Sequence, residues 1–331
     1  MKGRLEHELR SKNNIDILLK TMPEYVTEYY YNIHIDKEPS SCLEYLRKIN
    51  NFLKFIDMDI SKIDDIIVGK YFESIDYTED ISGEVRKTSF AYHQQIWSVL
   101  NQFFIFLKRK NYIENNPLES TKRPPKKDNV KRIFLSMEDL NGILESVKNG
   151  AGSQRAKARQ REWIDRDLLI LFLFMNTGMR KTALSEINVS DIDFASKELT
   201  VTDKRNKTQI YVITEEMEYA IKNWLIKREE LLNGIDNEAL FISSFRQRMS
   251  EKAVYNLVKK YSQDVLENPI SPHKLRAAFA SLFYEASGGD IKATCEAVGH
   301  SDISTTSIYV VKKNNSRKEA QSFMSEKLKI F

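Results

Sequence analysis

The chain has 331 residues, 41% of them hydrophobic and 30% charged, with a formal net charge of +4. This balance is typical of a folded globular protein and excludes a disordered chain, and the length favours two domains. The longest apolar run, 168–175, is too short to cross a bilayer, and the N-terminus carries no secretion signal, so we expect a cytoplasmic protein. Cys42 and Cys295 each lie in a helical pattern, which favours reduced core thiols over a disulfide or a metal site.

The first half of the chain reads as all-helical. Apolar residues recur at helical spacing from Met22 to about Tyr112, and the segment Pro39-Ser40-Ser41 predicts a helix start capped by a serine oxygen. Residues 80–84, with a glycine, are expected to form a loop. We therefore expect a helical domain over 21–117, preceded by a short extension over 1–20.

Proline at position 117 stops the last of these helices, and a basic segment over 118–133 follows. Its cations are Lys122, Arg123, Lys126, Lys127, Lys131 and Arg132. On its own, such a run is most simply a solvated linker. A basic strap between two domains is also what a clamp around a polyanion requires, because each neutralised phosphate releases counterions.

The second half, 134–312, mixes helices with one hairpin. It opens at Ser136 with a capping-box pattern, and an apolar run over 167–175 suits a buried helix. The polar stretch 150–161 carries Arg155, Lys157 and Arg159, and it is either a solvated loop or a second phosphate-contacting patch. Short β-prone runs at 198–202 and 209–213 flank a polar turn and predict a hairpin. Further helical patterns cover 215–232, 250–265, 273–286 and 290–298.

Five short features of this half are weak one by one, and each has an ordinary structural explanation. They are Arg180 after a glycine that ends the buried helix, Lys204 at the hairpin tip, His273 and Arg276 at i and i+3 of one helix, Gly299-His300 at a helix end, and Tyr309. Taken in this order, they resemble the catalytic signature of the tyrosine recombinase family, phage integrases and Xer-type recombinases included.

The resemblance covers 134–312 closely and is most specific over Gly299 to Thr306. It implies a mainly α fold with a small β-hairpin or sheet, in which an N-terminal helical core-binding domain precedes a mixed α/β catalytic domain. It also implies an enzyme that cuts and rejoins DNA through a phosphotyrosine bond. The first half resembles the family's core-binding domain only in length, helicity and position.

The residue types suit this chemistry. Arg180 and Arg276 offer forks of charged donors for the equatorial oxygens of a five-coordinate phosphorus. Tyr309 is the nucleophile, and its phenol, with a pKa near ~10, needs positive surroundings to ionise. By resemblance, Lys204 on a mobile hairpin protonates the leaving 5′ oxygen, while His273 serves as base and His300 as a further phosphate donor.

Neither a metal nor a nucleotide is expected as cofactor. The sequence has no acidic cluster for a metal pair and no glycine-rich phosphate loop, and a phosphotyrosine bond stores the energy of the cut strand. Two positions depart from the family. Ala183 stands where an acidic residue is usual, so either another carboxylate supports Arg180 or that support is absent. Ala277 stands where a second histidine is common.

The segment 313–331 carries an apolar stripe that predicts a helix, which packs either on its own domain or, as the family resemblance implies, on a neighbouring subunit. The latter would give a homotetramer on double-stranded DNA. Residues 1–20 are too few for a separate arm-site domain, so we expect simple inverted core sites. Two rival functions stay open, namely a type IB topoisomerase and a DNA-binding accessory protein that has lost the chemistry.

Overall fold

A computed structural model describes residues 2–79, 83–125, 134–203 and 207–299 of the chain. The chain divides into two compact units, 2–132 and 133–331, which we call the N-terminal and the C-terminal unit. The division falls at the end of the segment 118–133 that we expected to link two domains.

The N-terminal unit is built from helices around an aromatic core. Its helices are α1 (Lys2–Leu19), α2 (Glu24–Ile33), α3 (Pro39–Ile56), α4 (Asp65–Ser74) and α5 (Phe90–Arg109), with a 3-10 turn at Ile60–Lys62. α3 packs on α1, α4 and α5. Phe52, Phe103 and Phe104 are fully buried between these helices, and the edge-on contact of Phe52 with Phe104 stabilises the core beyond simple burial.

Two details of this unit differ from the sequence-based expectations. Most of the expected extension 1–20 forms α1, which packs on α3 and buries Ile15 completely. The helix is mostly polar and exposes Leu5 and Leu9, which is why its periodicity was weak. At the start of α3, Pro39 is the first helical residue and Glu38 precedes it without a side-chain cap, so the predicted serine cap is wrong.

The unit is also not entirely helical. Strands β1 (Tyr77–Glu79) and β2 (Val85–Lys87) form an antiparallel hairpin around the expected loop. All six of its residues are exposed, so the pair has no buried face, and an alternation of apolar and polar residues could not reveal it.

The C-terminal unit places eight described helices around one three-stranded sheet. The helices are α6 (Met137–Asn149), α7 (Gln154–Gln160), α8 (Ile164–Thr177), α9 (Lys181–Glu186), α10 (Glu215–Leu232), α11 (Glu251–Gln263), α12 (Pro272–Ala286) and α13 (Ile291–Val298). The antiparallel sheet has the order β3 (Ile192–Asp193), β4 (Glu198–Asp203) and β5 (Lys207–Val212). Two 3-10 turns lie at Arg161–Trp163 and Val189–Asp191.

Helix α8 is the centre of this unit. It packs on α6, α10 and α12, and Leu169, Leu173 and Phe174 are fully buried among them. The predicted buried helix is therefore confirmed, and its C-terminal end is held in a fixed position inside the unit.

Several local predictions are confirmed. The Ser136 hydroxyl and the Asp139 carboxylate form the capping box at the start of α6, β4 and β5 pair as the hairpin, and both cysteines are buried. Between 150 and 161, where two interpretations stayed open, the structure has the short helix α7. The mainly α fold with a small sheet is confirmed, and no described helix is long and apolar enough to span a membrane.

Candidate active site

The end of α8 is shaped by a glycine that no other residue could easily replace. Gly178 caps the helix in the left-handed conformation, with a φ of 59°, and its N–H donates to Phe174 O at 3.0 Å. A Cβ at this position would lie 2.4 Å from Cδ1 of Phe279, so the ring of α12 occupies the space of a side chain. Arg180 follows this turn, is half-buried and directly precedes α9.

Arg276 connects α12 to the C-terminal ends of α8 and α13. It lies in α12 with only 3% of its surface exposed. Its Nη1 donates to Gly178 O at 2.6 Å, and its Nη2 donates to Val298 O at the end of α13. A buried guanidinium held by backbone carbonyls keeps its full charge in one fixed place.

Arg180 reaches the same end of α13. Its Nη2 donates to Gly299 O at 3.3 Å, and Gly299 caps α13 with a φ of 64°. The two guanidiniums therefore contact consecutive carbonyls, those of Val298 and Gly299. Two fixed positive charges at one turn form a site suited to an anion.

His273 lies one helical turn before Arg276 in α12. Burial lowers the pKa of its imidazole, and the positive charges of Arg276, Lys274 and Arg180 lower the pKa further. Because the ordinary pKa of histidine is already near ~6.5, the ring is neutral at neutral pH and can accept a proton.

Strand β5 adds two polar side chains on the side of the arginines. The Tyr211 hydroxyl donates to Gln209 Oε1 at 2.8 Å. Burial raises the pKa of Tyr211, whereas the charges of Arg276 and Arg180 act in the opposite direction. The Gln209 amide lies against Gly299, where a Cβ would be 1.9 Å from its Nε2.

The chain is similar to a known protein family and to several known proteins. The family model described as "Phage integrase family" matches residues 134–316. A XerC tyrosine recombinase of Caldanaerobacter subterraneus subsp. tengcongensis is 32% identical over 82% of this chain and 74% of its own length. One of Thermodesulfovibrio yellowstonii is 29% identical over 86% of this chain and 90% of its own.

The chain belongs to the phage integrase family. The solved structure of a lambda integrase dimer bound to a COC′ core site has the same fold (TM-score 0.65, 18% identity, 88% of this chain and 95% of that chain). As a tetramer bound to a Holliday junction it matches with a TM-score of 0.62 at 17% identity, over 88% and 77% of the two chains. The protein is thus a tyrosine recombinase, and its enzyme class is that of the DNA strand transferases.

Of the six predicted catalytic residues of this recombinase, the structure brings Arg180, His273 and Arg276 together. Lys204, His300 and Tyr309 lie outside the described residues. Two of them directly follow described residues, since β4 ends at Asp203, before Lys204, and Gly299 precedes His300.

The predicted DNA-contacting residues fall on two short segments. Lys122 and Arg123 are exposed, and the Arg123 guanidinium lies 5.4 Å from the centroid of the Trp97 ring. Gln94 Nε2 donates to Pro124 O at 2.8 Å, so this end of the basic segment lies along α5. The remaining cations of the segment, Lys126, Lys127, Lys131 and Arg132, lie outside the described residues.

The second segment is α7, where Arg155 and Arg159 are exposed one turn apart and Lys157 is half-buried. Gln160 holds the helix to the preceding loop, because its amide both accepts from the N–H and donates to the carbonyl of Ala151, at 3.0 and 2.8 Å. The basic side chains of α7 are thus presented on an anchored helix.

Sequence reasoning missed Gln209, Tyr211 and Arg248. Arg248 Nη1 donates to Ser185 O and Ile187 O, both at 3.1 Å, and so holds the end of α9, the helix that Arg180 precedes. Ala183, the departure from the family pattern, is buried within α9. Among the described residues, no group of three or more His, Cys, Asp or Glu side chains is placed to hold a metal ion.

Proposed function

We propose that this tyrosine recombinase performs site-specific DNA recombination with Tyr309 as nucleophile and Arg180, Lys204, His273, Arg276 and His300 as its catalytic partners. The observation that carries the proposal is the convergence of Arg180 and Arg276 on the consecutive carbonyls of Val298 and Gly299. A scissile phosphate beside this turn would meet two guanidiniums and would lie next to residue 300.

The two arginines suit the transition state better than the ground state. When a tyrosine oxygen attacks phosphorus, negative charge spreads over the equatorial oxygens, and guanidinium forks donate to two of them at once. One well-placed donor of this kind is commonly worth ~3 kcal/mol of barrier. Because Arg276 is held by Gly178 O and Val298 O before DNA arrives, little reorganisation is needed during the reaction.

The proton balance assigns the remaining roles. Tyr309 Oη forms a bond to phosphorus, its proton passes to the neutral imidazole of His273, and the bond from phosphorus to the 5′ oxygen breaks. Lys204 protonates that oxygen, and His300 donates to the phosphate. A 5′ hydroxyl from another strand then attacks the phosphotyrosine bond and releases Tyr309. One phosphoester replaces another at each step, so the cycle requires no external energy source.

Double-stranded DNA with inverted core sites is the partner that we propose. Lambda integrase was solved as a dimer bound to a COC′ core site, and here the exposed cations of α7 and of the basic segment would supply the phosphate contacts. Phosphate contacts position a protein and do not read sequence, so these residues account for affinity and register alone.

We further propose a homotetramer on DNA in the cytoplasm, joined by the segment 313–331 of each subunit. Lambda integrase is a tetramer on a Holliday junction, and the apolar stripe of this segment needs a partner surface in water. The natural event would be the integration or excision of a mobile element, or the resolution of dimers.

A nicked suicide DNA substrate tests the proposal, because loss of the short strand beside the cut traps the covalent intermediate. We expect an adduct with the wild-type chain, none with Tyr309→Phe, and unchanged site binding by that variant. Strand exchange between two duplexes is expected as well. Absence of any adduct would indicate an accessory DNA-binding protein, adducts without exchange would indicate a topoisomerase, and a normal adduct with Tyr309→Phe would place the nucleophile elsewhere.

A further inference from the structure

Strand β5 reverses the usual alternation of a half-buried strand. Its apolar residues Ile210 and Val212 are 60% and 72% exposed, whereas the polar side chains of Gln209 and Tyr211 point to the interior. Opposite them on β4 lie Val201 and Leu199, which are almost fully buried. The inward positions of a half-buried strand usually carry apolar side chains. β5 departs from this pattern, and such departures concentrate at functional sites.

The two inward side chains act as one unit. The Tyr211 hydroxyl donates to Gln209 Oε1 at 2.8 Å, which fixes the orientation of the amide and directs its Nε2 away from Tyr211. That nitrogen lies against Gly299, at 1.9 Å from the place where a Cβ would stand. The amide thus occupies the side-chain space that glycine leaves empty.

The turn that receives the amide is the one that both arginines bind. Gly299 O accepts from Arg180, and Val298 O accepts from Arg276. β5 is moreover the outer strand of the sheet among the described residues, paired with β4 alone. The contact of Gln209 with Gly299 therefore links β5, which begins three residues after Lys204, to the arginine pair.

We propose that Gln209 and Tyr211 are positioning residues, which fix β5 to the Val298–Gly299 turn and thereby set the distance from Lys204 to the phosphate held by Arg180 and Arg276. This inference rests on the proposed function, in which Lys204 protonates the leaving oxygen. Neither residue needs to touch DNA. A misplacement of about 1 Å in a catalytic group can cost roughly 100-fold in rate, so a loosened strand has a measurable effect.

The test compares two DNA substrates in single-turnover cleavage by Tyr211→Phe and Gln209→Ala. One substrate is an ordinary nicked suicide duplex. The other has sulfur in place of the bridging 5′ oxygen, and a thiolate, with a pKa near ~8.5, leaves without a proton donor. Lys204→Ala is the benchmark for a lost donor, and Ile210→Ala, on the outward face of the same strand, is the matched control.

We expect Tyr211→Phe and Gln209→Ala to cut the ordinary substrate about 10-fold or more slowly with unchanged DNA affinity, because a displaced Lys204 protonates the leaving oxygen less efficiently. Both should regain nearly wild-type rates on the sulfur substrate, as should Lys204→Ala, while Ile210→Ala cuts both normally. Wild-type rates for the two variants on the ordinary substrate, or equal losses on both substrates, would overturn the proposal.

Failure of the proposed function would look different. If the wild-type chain forms no adduct, or if Lys204→Ala is not rescued by sulfur, the assignment of the chemistry fails. Hydrogen exchange then still tests the link to the turn. The amides of 207–212 should exchange faster in Tyr211→Phe and Gln209→Ala than in wild type or Ile210→Ala, and unchanged exchange would overturn the positioning role.

Discussion

Replacing Arg276 by alanine should destabilise the C-terminal unit far more than the same change at Arg180, although both should slow DNA cleavage. Arg276 is 3% exposed, and its guanidinium binds Gly178 O and Val298 O. Hydrogen bonds from a charged donor contribute about 1.5 kcal/mol or more each, so two of them give about 3 kcal/mol. Arg180 is only half-buried, so water can replace its 3.3 Å bond to Gly299 O at a cost of about 1 kcal/mol or less.

The three tryptophans allow a measurement on this unit alone. Trp163 and Trp224 belong to it, and Trp97 is the tryptophan of the N-terminal unit. In a Trp97→Phe background, the change of tryptophan emission in urea therefore follows the C-terminal unit. A loss of about 3 kcal/mol corresponds to a decrease of roughly 6–12 °C in Tm for a unit of this size.

Arg276→Lys serves as the control, because it keeps the charge but cannot bridge both carbonyls, and it should fall between wild type and alanine. Cleavage is compared at a temperature at which every variant is folded. Equal losses of stability at positions 180 and 276, or a loss below about 1 kcal/mol for Arg276→Ala, would refute the view that Arg276 joins the helix ends.

Three further outcomes are expected. The pKa of His273, followed by NMR of its ring nitrogens, should lie below ~6.5 in the free protein and should rise when DNA brings a phosphate to the arginines. A pKa of His273 at or above its ordinary value in the free protein would contradict the argument from burial and charge. Neutralising Lys122, Arg123, Lys126 and Lys127 should weaken binding to all DNA sequences and make the salt dependence of log affinity shallower by ~0.9 per lost phosphate contact, whereas an unchanged slope would mean a solvated linker. Truncation after Lys313 should preserve binding to a single site and abolish cooperative binding to a full core site in gel-shift titrations. If the truncated protein melts early, the segment 313–331 belongs to the core of its own subunit. If it recombines DNA normally, that segment forms no functional interface.

The local features of the site were predictable from sequence because their causes act within a few residues. A glycine after an apolar helix predicts a left-handed cap, and Gly178 has that conformation just ahead of Arg180. Ser136 and Asp139 predict the capping box by their spacing alone. The order of the five signature features also identified the family, which the comparisons confirm.

Other elements escaped prediction because their signals were weak along the chain. Helix α1 is mostly polar, and only its packing on α3 shows that Ile15 belongs to a core. The β1–β2 hairpin has no buried face, so no alternation marks it. The apolar residues Ile210 and Val212 give β5 its strand propensity, but both are exposed. The sequence therefore did not show which face of β5 points to the interior.

The sequence alone therefore determined the family, the helical cores and the identity of the two arginines, because composition, spacing and capping are properties of neighbouring residues. Folding is what brings Arg180 and Arg276 to consecutive carbonyls and places the Gln209 amide in the space beside Gly299. These contacts join segments that are distant in the chain, and their geometry depends on how α8, α12, α13 and β5 pack together. Burial among the same helices is also the largest cause that lowers the pKa of His273, ahead of the charges of Arg276, Lys274 and Arg180.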